Sequence, residues 1–429
     1  MDTEESSTRK RVPVARLKPG VYVVALDRSW FQTRLYFHRR LIKDAKDIAL
    51  LEEHGIREVV IDTARGADVE AALPQPQPEP LVAAALPSAS EPAPEAISET
   101  HPPFPSETAL RPLVKELEMA RTIHAEALVA AESIFEGVGN GSPVNSPAAK
   151  KVVTELLGSI TRSPEANLLL TQMRRFQNDL FSHAVNACVL CLVIGTVEGF
   201  ETETSALGLG ALLHDIGKTR MPRSLIRRKE PYTESERRLL EQHPKLGAIL
   251  LKQSENIPEV THRIVTEHHE RIDGSGYPFG LRHAQISFFS QLVGITDMYD
   301  ALLAGRKQAP LQPIEVLRQL YLLSNAGAFD RNLIERVIRC LGVYPAGSLV
   351  ELNTGERGIV IAANRKDSLK PTLRIISSRD GLALSNGPVL SLADTGSGSA
   401  PRRIIRALDP GKERVNLLAY LKLAPALSA

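Results

Sequence analysis

At 429 residues the chain exceeds one ordinary domain, so about two to four folding units are expected. With 43% hydrophobic and 24% charged residues it is globular in composition, and a net charge of +2 argues against a DNA-binding surface or a polybasic membrane tether. Three cysteines without regular spacing argue against a disulfide scaffold and fit a reducing cytosol.

The N-terminus, Met1-Asp2-Thr3-Glu4-Glu5, starts acidic and has no apolar core of the signal-peptide kind. Residues 1–64 read as a β-rich N-terminal domain: a strand-like run Val21–Leu26, a helical stretch near Asp44 to Glu53, and a second strand-like run Glu58–Asp62. Residues 65–110 turn into Ala, Pro, Ser and Glu, most plainly in Leu73-Pro74-Gln75-Pro76-Gln77-Pro78, and read as a linker that buries too little apolar surface to order itself.

Residues 111–342 are helical in pattern almost throughout, with apolar positions at three- and four-residue spacing. One helix start is legible as a capping box in Thr233-Glu234-Ser235-Glu236. The longest apolar run, around Ala184 to Val197, falls short of the ~20 residues that span a bilayer, so a soluble, cytoplasmic protein without a membrane partner is expected. Cys188 and Cys191 sit inside that run and read as small buried hydrophobes rather than redox or zinc ligands. From 343 to 429 strand-like runs return, with Asn353-Thr354-Gly355-Glu356 as a hairpin turn, and we expect a small β-rich C-terminal unit. The fold class expected is therefore multidomain, with a mainly α core between small β-rich units.

The helical region carries five of the eleven histidines in an ordered series: His183, then His214-Asp215, His243, His268-His269, and finally Asp297. Successive elements lie about 25 to 30 residues apart, roughly one helix plus one loop, so a bundle can bring them to a shared centre. Imidazoles and carboxylates without thiolates suit iron or manganese, with zinc or nickel as alternatives. Asp215 is the natural bridge between two ions, and a two-metal site suits the hydrolysis of a phosphodiester. A single such histidine is commonly a hydrogen-bonded core residue, but burying five of them with two aspartates and no metal would be costly. The other six, His38, His54, His101, His124, His262 and His283, read as surface or structural.

Asp179 to Asp300 resembles the HD-GYP family, the branch of the HD phosphohydrolase superfamily that degrades cyclic di-GMP. Leu213-His214-Asp215-Ile216-Gly217-Lys218 and His268-His269-Glu270-Arg271-Ile272-Asp273-Gly274-Ser275-Gly276-Tyr277-Pro278 carry the resemblance. It implies an all-α core, two or three divalent ions, hydrolysis to pGpG and sometimes onward to GMP, and diguanylate cyclase (GGDEF) proteins as partners. Carried over by position, the implied ligands are His183, His214, Asp215, His243, His268, His269 and Asp297. Asp179 is an eighth, in the place where members with a third metal carry Glu. Asp215 and Lys218 are the implied catalytic pair. Lys218 and Arg306 would meet phosphate, while Gly276, Tyr277 and Pro278 would line the substrate pocket or dock a partner. Asp300, one turn after Asp297, is expected to orient a neighbour or to end in a helix-surface hydrogen bond.

The chain departs from the family after Arg306, reading Arg306-Lys307-Gln308-Ala309-Pro310 where members commonly continue Arg-Pro-Tyr-Arg. The N-terminal block, with Leu17-Lys18-Pro19-Gly20, looks like the β-rich domain of unknown role that often precedes HD-GYP modules, and we read it as a packing or dimerisation unit of a homodimer. Cyclic GMP-AMP as substrate, or a nucleotide-binding or protein-interaction module without turnover, are the alternatives.

Overall fold

The computed structural model describes residues 9–26, 40–42, 44–53, 56–69, 111–173, 179–200, 202–228, 230–305, 309–394 and 401–421. It divides into two compact units, Met1–His101 and Pro102–Ala429. The expected linker from residue 70 onward lies outside the described residues, as do Arg306, Lys307 and Gln308, and His38, His54 and His101.

In the first unit four strands, β1 (Arg9–Pro13), β2 (Tyr22–Leu26), β3 (Arg40–Leu41) and β4 (Glu58–Asp62), form an antiparallel sheet in the order β1-β4-β2-β3. Helix α1 (Ala45–Glu53) precedes β4. Val21, Val23, Val59 and Ile61 are buried with Ile42 and Leu51, as alternation along the strands requires. This unit continues past residue 64, because Ala67 N–H donates to Gly20 O at 2.6 Å.

The second unit is led by helices α2 (Arg111–Gly139), α3 (Ser146–Arg162), α4 (Pro164–Met173), α5 (Leu180–Glu198) and α6 (Thr202–Leu213). A 3-10 turn at Ile216–Arg220 leads into α7 (Arg223–Ile226), α8 (Glu234–Leu240), α9 (His243–Lys252) and α10 (Glu259–Glu267). Then come α11 (Phe288–Ala304), α12 (Pro313–Asn325) and α13 (Arg331–Leu341). The Thr233–Glu236 capping box opens α8 as expected. Helix α5 is long and apolar enough to cross a membrane, yet 78% of its most apolar window is buried inside the protein. It is the central helix, packed by α2, α3, α4, α6, α11 and α13. A helix hydrophobic all round belongs in such a place, and Cys188 and Cys191 are buried in it.

Strands β5 (Leu349–Leu352), β6 (Arg357–Ala362), β7 (Thr372–Ser377), β8 (Val389–Ser391) and β9 (Ile404–Leu408) form an antiparallel sheet ordered β8-β7-β6-β5-β9, followed by the short α14 (Leu417–Tyr420). The Asn353–Glu356 turn joins β5 to β6 as expected. Leu349, Ile359, Ile376 and Leu408, one from each of β5, β6, β7 and β9, are buried together in the core of this sheet.

Candidate metal centre

The seven candidate ligands come from five places in the bundle, and most lie at helix ends. His183 stands in the first turn of α5, and Asp297 in the middle of α11. His214 and Asp215 follow the last residue of α6, His243 is the first residue of α9, and His268 and His269 follow α10. Their ligating atoms fall into two groups, His183–His214–Asp297 and Asp215–His243–His268–His269, each within 4.8 Å of one another.

Helix ends leave carbonyls without an intrahelical partner, and three of the histidines use them. The Nδ1 of His214 lies 2.7 Å from Ala211 O, that of His243 2.8 Å from Leu240 O, and that of His268 3.0 Å from Val265 O. A carbonyl only accepts, so each Nδ1 carries the proton and each Nε2 presents a lone pair to the centre. His183 has a carboxylate on each ring nitrogen, Nδ1 lying 2.6 Å from Asp300 Oδ2 and Nε2 2.8 Å from Asp297 Oδ1. Asp300 thus touches the ring of a candidate ligand, which is the first of the two roles considered for it.

These tautomers bring lone pairs face to face. His243 Nε2 and His268 Nε2 are 3.2 Å apart, and neither has a proton to place between them. Protonating His268 is no remedy, because burial holds its imidazole well below the ordinary 6.5. Burial likewise lowers His214, and lowers His269 well below that value. Among the described residues His214 Nε2 and Asp215 Oδ1 are buried without a hydrogen-bond partner.

Asp215 spans the two groups. Its Oδ1 lies 3.2 Å from His243 Nε2, out of line for a hydrogen bond, and its Oδ2 lies 3.5 Å from His214 Nε2 and 3.8 Å from His183 Nε2. Asp297 Oδ1 is 2.8 Å from His183 Nε2, and Asp297 Oδ2 faces His269 Nδ1 at 3.8 Å. Burial by itself would raise both carboxyls, but Lys218 and the histidines hold Asp215 well below the usual range, and His183 and His269 do the same for Asp297. Lys218 Nζ sits on Asp215 Oδ2, the one lysine or arginine within ion-pair distance of either carboxylate among the described residues. Two buried carboxylates, one ammonium and the inward-facing ring nitrogens of five histidines make up the centre. Such a centre fits divalent cations and nothing apolar.

The HD-domain family matches residues 172–333, which hold all of these ligands. The chain thus carries an HD domain of that family. A domain of unknown function matches residues 9–149, and a KOW domain associated with the HD domain matches 349–410. A cyclic di-GMP phosphodiesterase of Pseudomonas aeruginosa is 29% identical over 92% of this chain and 91% of its own. A cyclic di-GMP phosphodiesterase response regulator of Xanthomonas campestris is 32% identical over 32% of this chain and 37% of its own. A 3'3'-cGAMP-specific phosphodiesterase of Vibrio cholerae is 27% identical over 51% of this chain and 50% of its own. The chain therefore spans nearly all of the first relative but half or less of the other two.

Of the residues that the HD-GYP pattern singles out, Asp179 stands apart from the two groups. It is the N-cap of α5: Oδ1 accepts Ser182 N–H at 2.7 Å, and Oδ2 accepts Ser182 Oγ–H at 2.7 Å. Tyr277 does reach the centre, with its ring stacked on His269 at 4.6 Å. Pro278 follows it through a cis peptide bond. Gly276 packs against the backbone of 269–271. Arg306 lies outside the described residues. Glu270 and Asn186 carry no role at the level of sequence, because only burial and partners reveal them. Asn186 Nδ2 donates to Asp300 Oδ1 at 3.0 Å, and Glu270 holds the Gly-Tyr-Pro loop.

Proposed function

We propose that this chain is a metal-dependent phosphodiesterase that hydrolyses cyclic di-GMP to pGpG, with GMP as a further product, in second-messenger signalling in the cytoplasm. The observation that carries the reading is Asp215, whose two carboxylate oxygens face the two separate groups of nitrogen ligands. His183, His214 and Asp297 with one oxygen of Asp215 would hold the first ion. His243, His268 and His269 with the other oxygen would hold the second. Iron or manganese is the metal that the donor set favours.

Two such ions supply a water nucleophile near neutral pH and offset the charge that develops on the phosphodiester oxygens. The protein's own residues do the rest. Lys218 compensates Asp215 and, with its side chain 18% exposed, presents ammonium charge at the edge of the centre where a phosphate enters. Asp300 keeps the proton of His183 on Nδ1. The Tyr277 ring covers His269 and excludes water from that side. Cyclic GMP-AMP is the second substrate reading, since a matched relative carries that specificity in its name. A GGDEF partner and a homodimer accord with the family resemblance.

The test couples metal analysis of protein purified under reducing conditions to turnover of cyclic di-GMP and 3'3'-cGAMP in parallel. We expect two ions per chain, linear product from cyclic di-GMP first, and loss of both in His214→Ala/Asp215→Ala. Bound metal with no product from either dinucleotide would sink the enzymatic reading.

A further inference from the structure

Four of the five histidines of the centre are oriented by a hydrogen bond on the nitrogen turned away from it: His183 by Asp300, and His214, His243 and His268 by helix-end carbonyls. His269 is different. Among the described residues no carbonyl or carboxylate lies within hydrogen-bond distance of its ring, whose Nδ1 is 3.8 Å from Asp297 Oδ2. Its ring is covered instead by Tyr277, stacked at 4.6 Å with 30° between the planes.

The Tyr277 ring is placed by its backbone. Tyr277 N–H donates to His269 O at 3.2 Å. Gly276 lies so close to the preceding turn that a Cβ would stand 2.3 Å from Arg271 N and 2.5 Å from Glu270 Cα. The loop is then fastened from below by Glu270, which is 2% exposed. One of its carboxylate oxygens accepts Phe279 N–H at 2.7 Å and the other accepts Leu281 N–H at 2.9 Å. A buried carboxylate spent on two backbone donors, with no cation within ion-pair distance among the described residues, serves geometry rather than charge.

We propose that Glu270 is a positioning residue for the metal centre: by fastening the 277–281 loop it keeps the Tyr277 ring on His269, the one ligand that no hydrogen bond orients. The inference rests on the reading of these residues as metal ligands. It is one-sided by construction. His269 belongs with Asp215, His243 and His268, whereas His183, His214 and Asp297 form the other group. Loss of the strap should therefore weaken one ion of two, by roughly the 10- to 100-fold that loss of an orienting partner costs.

The full chain would be loaded with manganese as wild type, Glu270→Gln, Tyr277→Ala and Tyr277→Phe. Metal per chain, the affinity of each ion by chelator competition, and thermal melting would be measured. Tyr277→Phe keeps the stacked ring and should hold both ions as wild type does. Tyr277→Ala and Glu270→Gln should lose one ion at limiting metal, keep the other at unchanged affinity, and retain a cooperative melt. If Glu270→Gln does not fold, the Tyr277 pair decides the matter. Both ions held with wild-type affinity in Tyr277→Ala, or Tyr277→Phe failing as Tyr277→Ala does, would overturn the proposal while leaving the metal centre standing. A wild-type chain that binds no ion would overturn the centre itself.

Discussion

His183 on α5 and Asp300 on α11 meet at 2.6 Å, Nδ1 to Oδ2, while Asn186 holds the other carboxylate oxygen. The contact gives Nδ1 an acceptor on the side turned away from the centre, while Nε2 faces Asp297 Oδ1 at 2.8 Å. An Asn at 300 would offer an amide donor to Nδ1 and favour the tautomer with its proton on Nε2. Asp300→Asn should lower metal affinity by roughly 10- to 100-fold, with turnover falling alongside. Metal titration against wild type checks this. Equal affinities would mean that α5 packing alone orients the ring.

Asp179 lies one turn before His183 in sequence, which makes it look like a further ligand. An N-cap residue stands outside the helix it starts, and here both of its oxygens are engaged by Ser182. Asp179→Ser should keep the cap, and Asp179→Ala should cost about 1 kcal/mol of stability. Neither should change the number of ions per chain. A drop in metal content for Asp179→Ser, measured beside its melting temperature, would return the residue to the ligand set.

The metal-free chain should lose stability as pH falls. Burial holds His214, His268 and His269 below 6.5, so below that pH the unfolded chain takes up protons that the folded one refuses. More protons on the unfolded state means less stability at lower pH. Asp215 and Asp297, held well below 3.8 despite burial, act with the same sign: their contribution is present above 3.8 and is lost as pH falls beneath it. Melts of chelated protein from about pH 8 to 5 should therefore show a falling transition below about 6.5. Added metal should raise stability at every pH, by about 2.7 kcal/mol at a hundredfold excess over its Kd, and by less at low pH where protons compete for the ligands. A flat profile would mean that the imidazoles are not desolvated.

The sequence carries the candidate ligands of this centre because ligand chemistry permits few residue types, and their order along the chain survives without any knowledge of the packing. It carries the α5 core, the Thr233 capping box and the β5–β6 hairpin because those depend on local pattern. The Glu270 strap and the Asn186–Asp300–His183 relay do not show, since each joins residues whose partners are set by loop closure or by two helices meeting. The cap role of Asp179 does not show either: its spacing from His183 reads as one helix face, whereas the helix begins after it. The two-group split of the ligands, and with it the bridging geometry of Asp215, exists only once α6, α9 and α10 are docked.

That docking depends on Gly217, two residues past Asp215. A Cβ there would stand 2.0 Å from His243 O and 2.6 Å from Gly247 N, both backbone atoms that no rotamer change can move. The 3-10 turn and the start of α9 must separate to admit a methyl group, and they carry Asp215 and His243 with them. Gly217→Ala should cost about 1–3 kcal/mol from overpacking and weaken metal binding through the displaced pair. Gly158 on α3 is the control: it is exposed, with nothing within 4 Å of its would-be Cβ. In a helix interior Gly158→Ala should raise stability by roughly 0.5–1 kcal/mol and leave metal affinity untouched. Denaturant melts and metal titrations of both variants give four numbers. Gly217→Ala matching wild type in both measurements would show that the Asp215–His243 contact tolerates the extra methyl group.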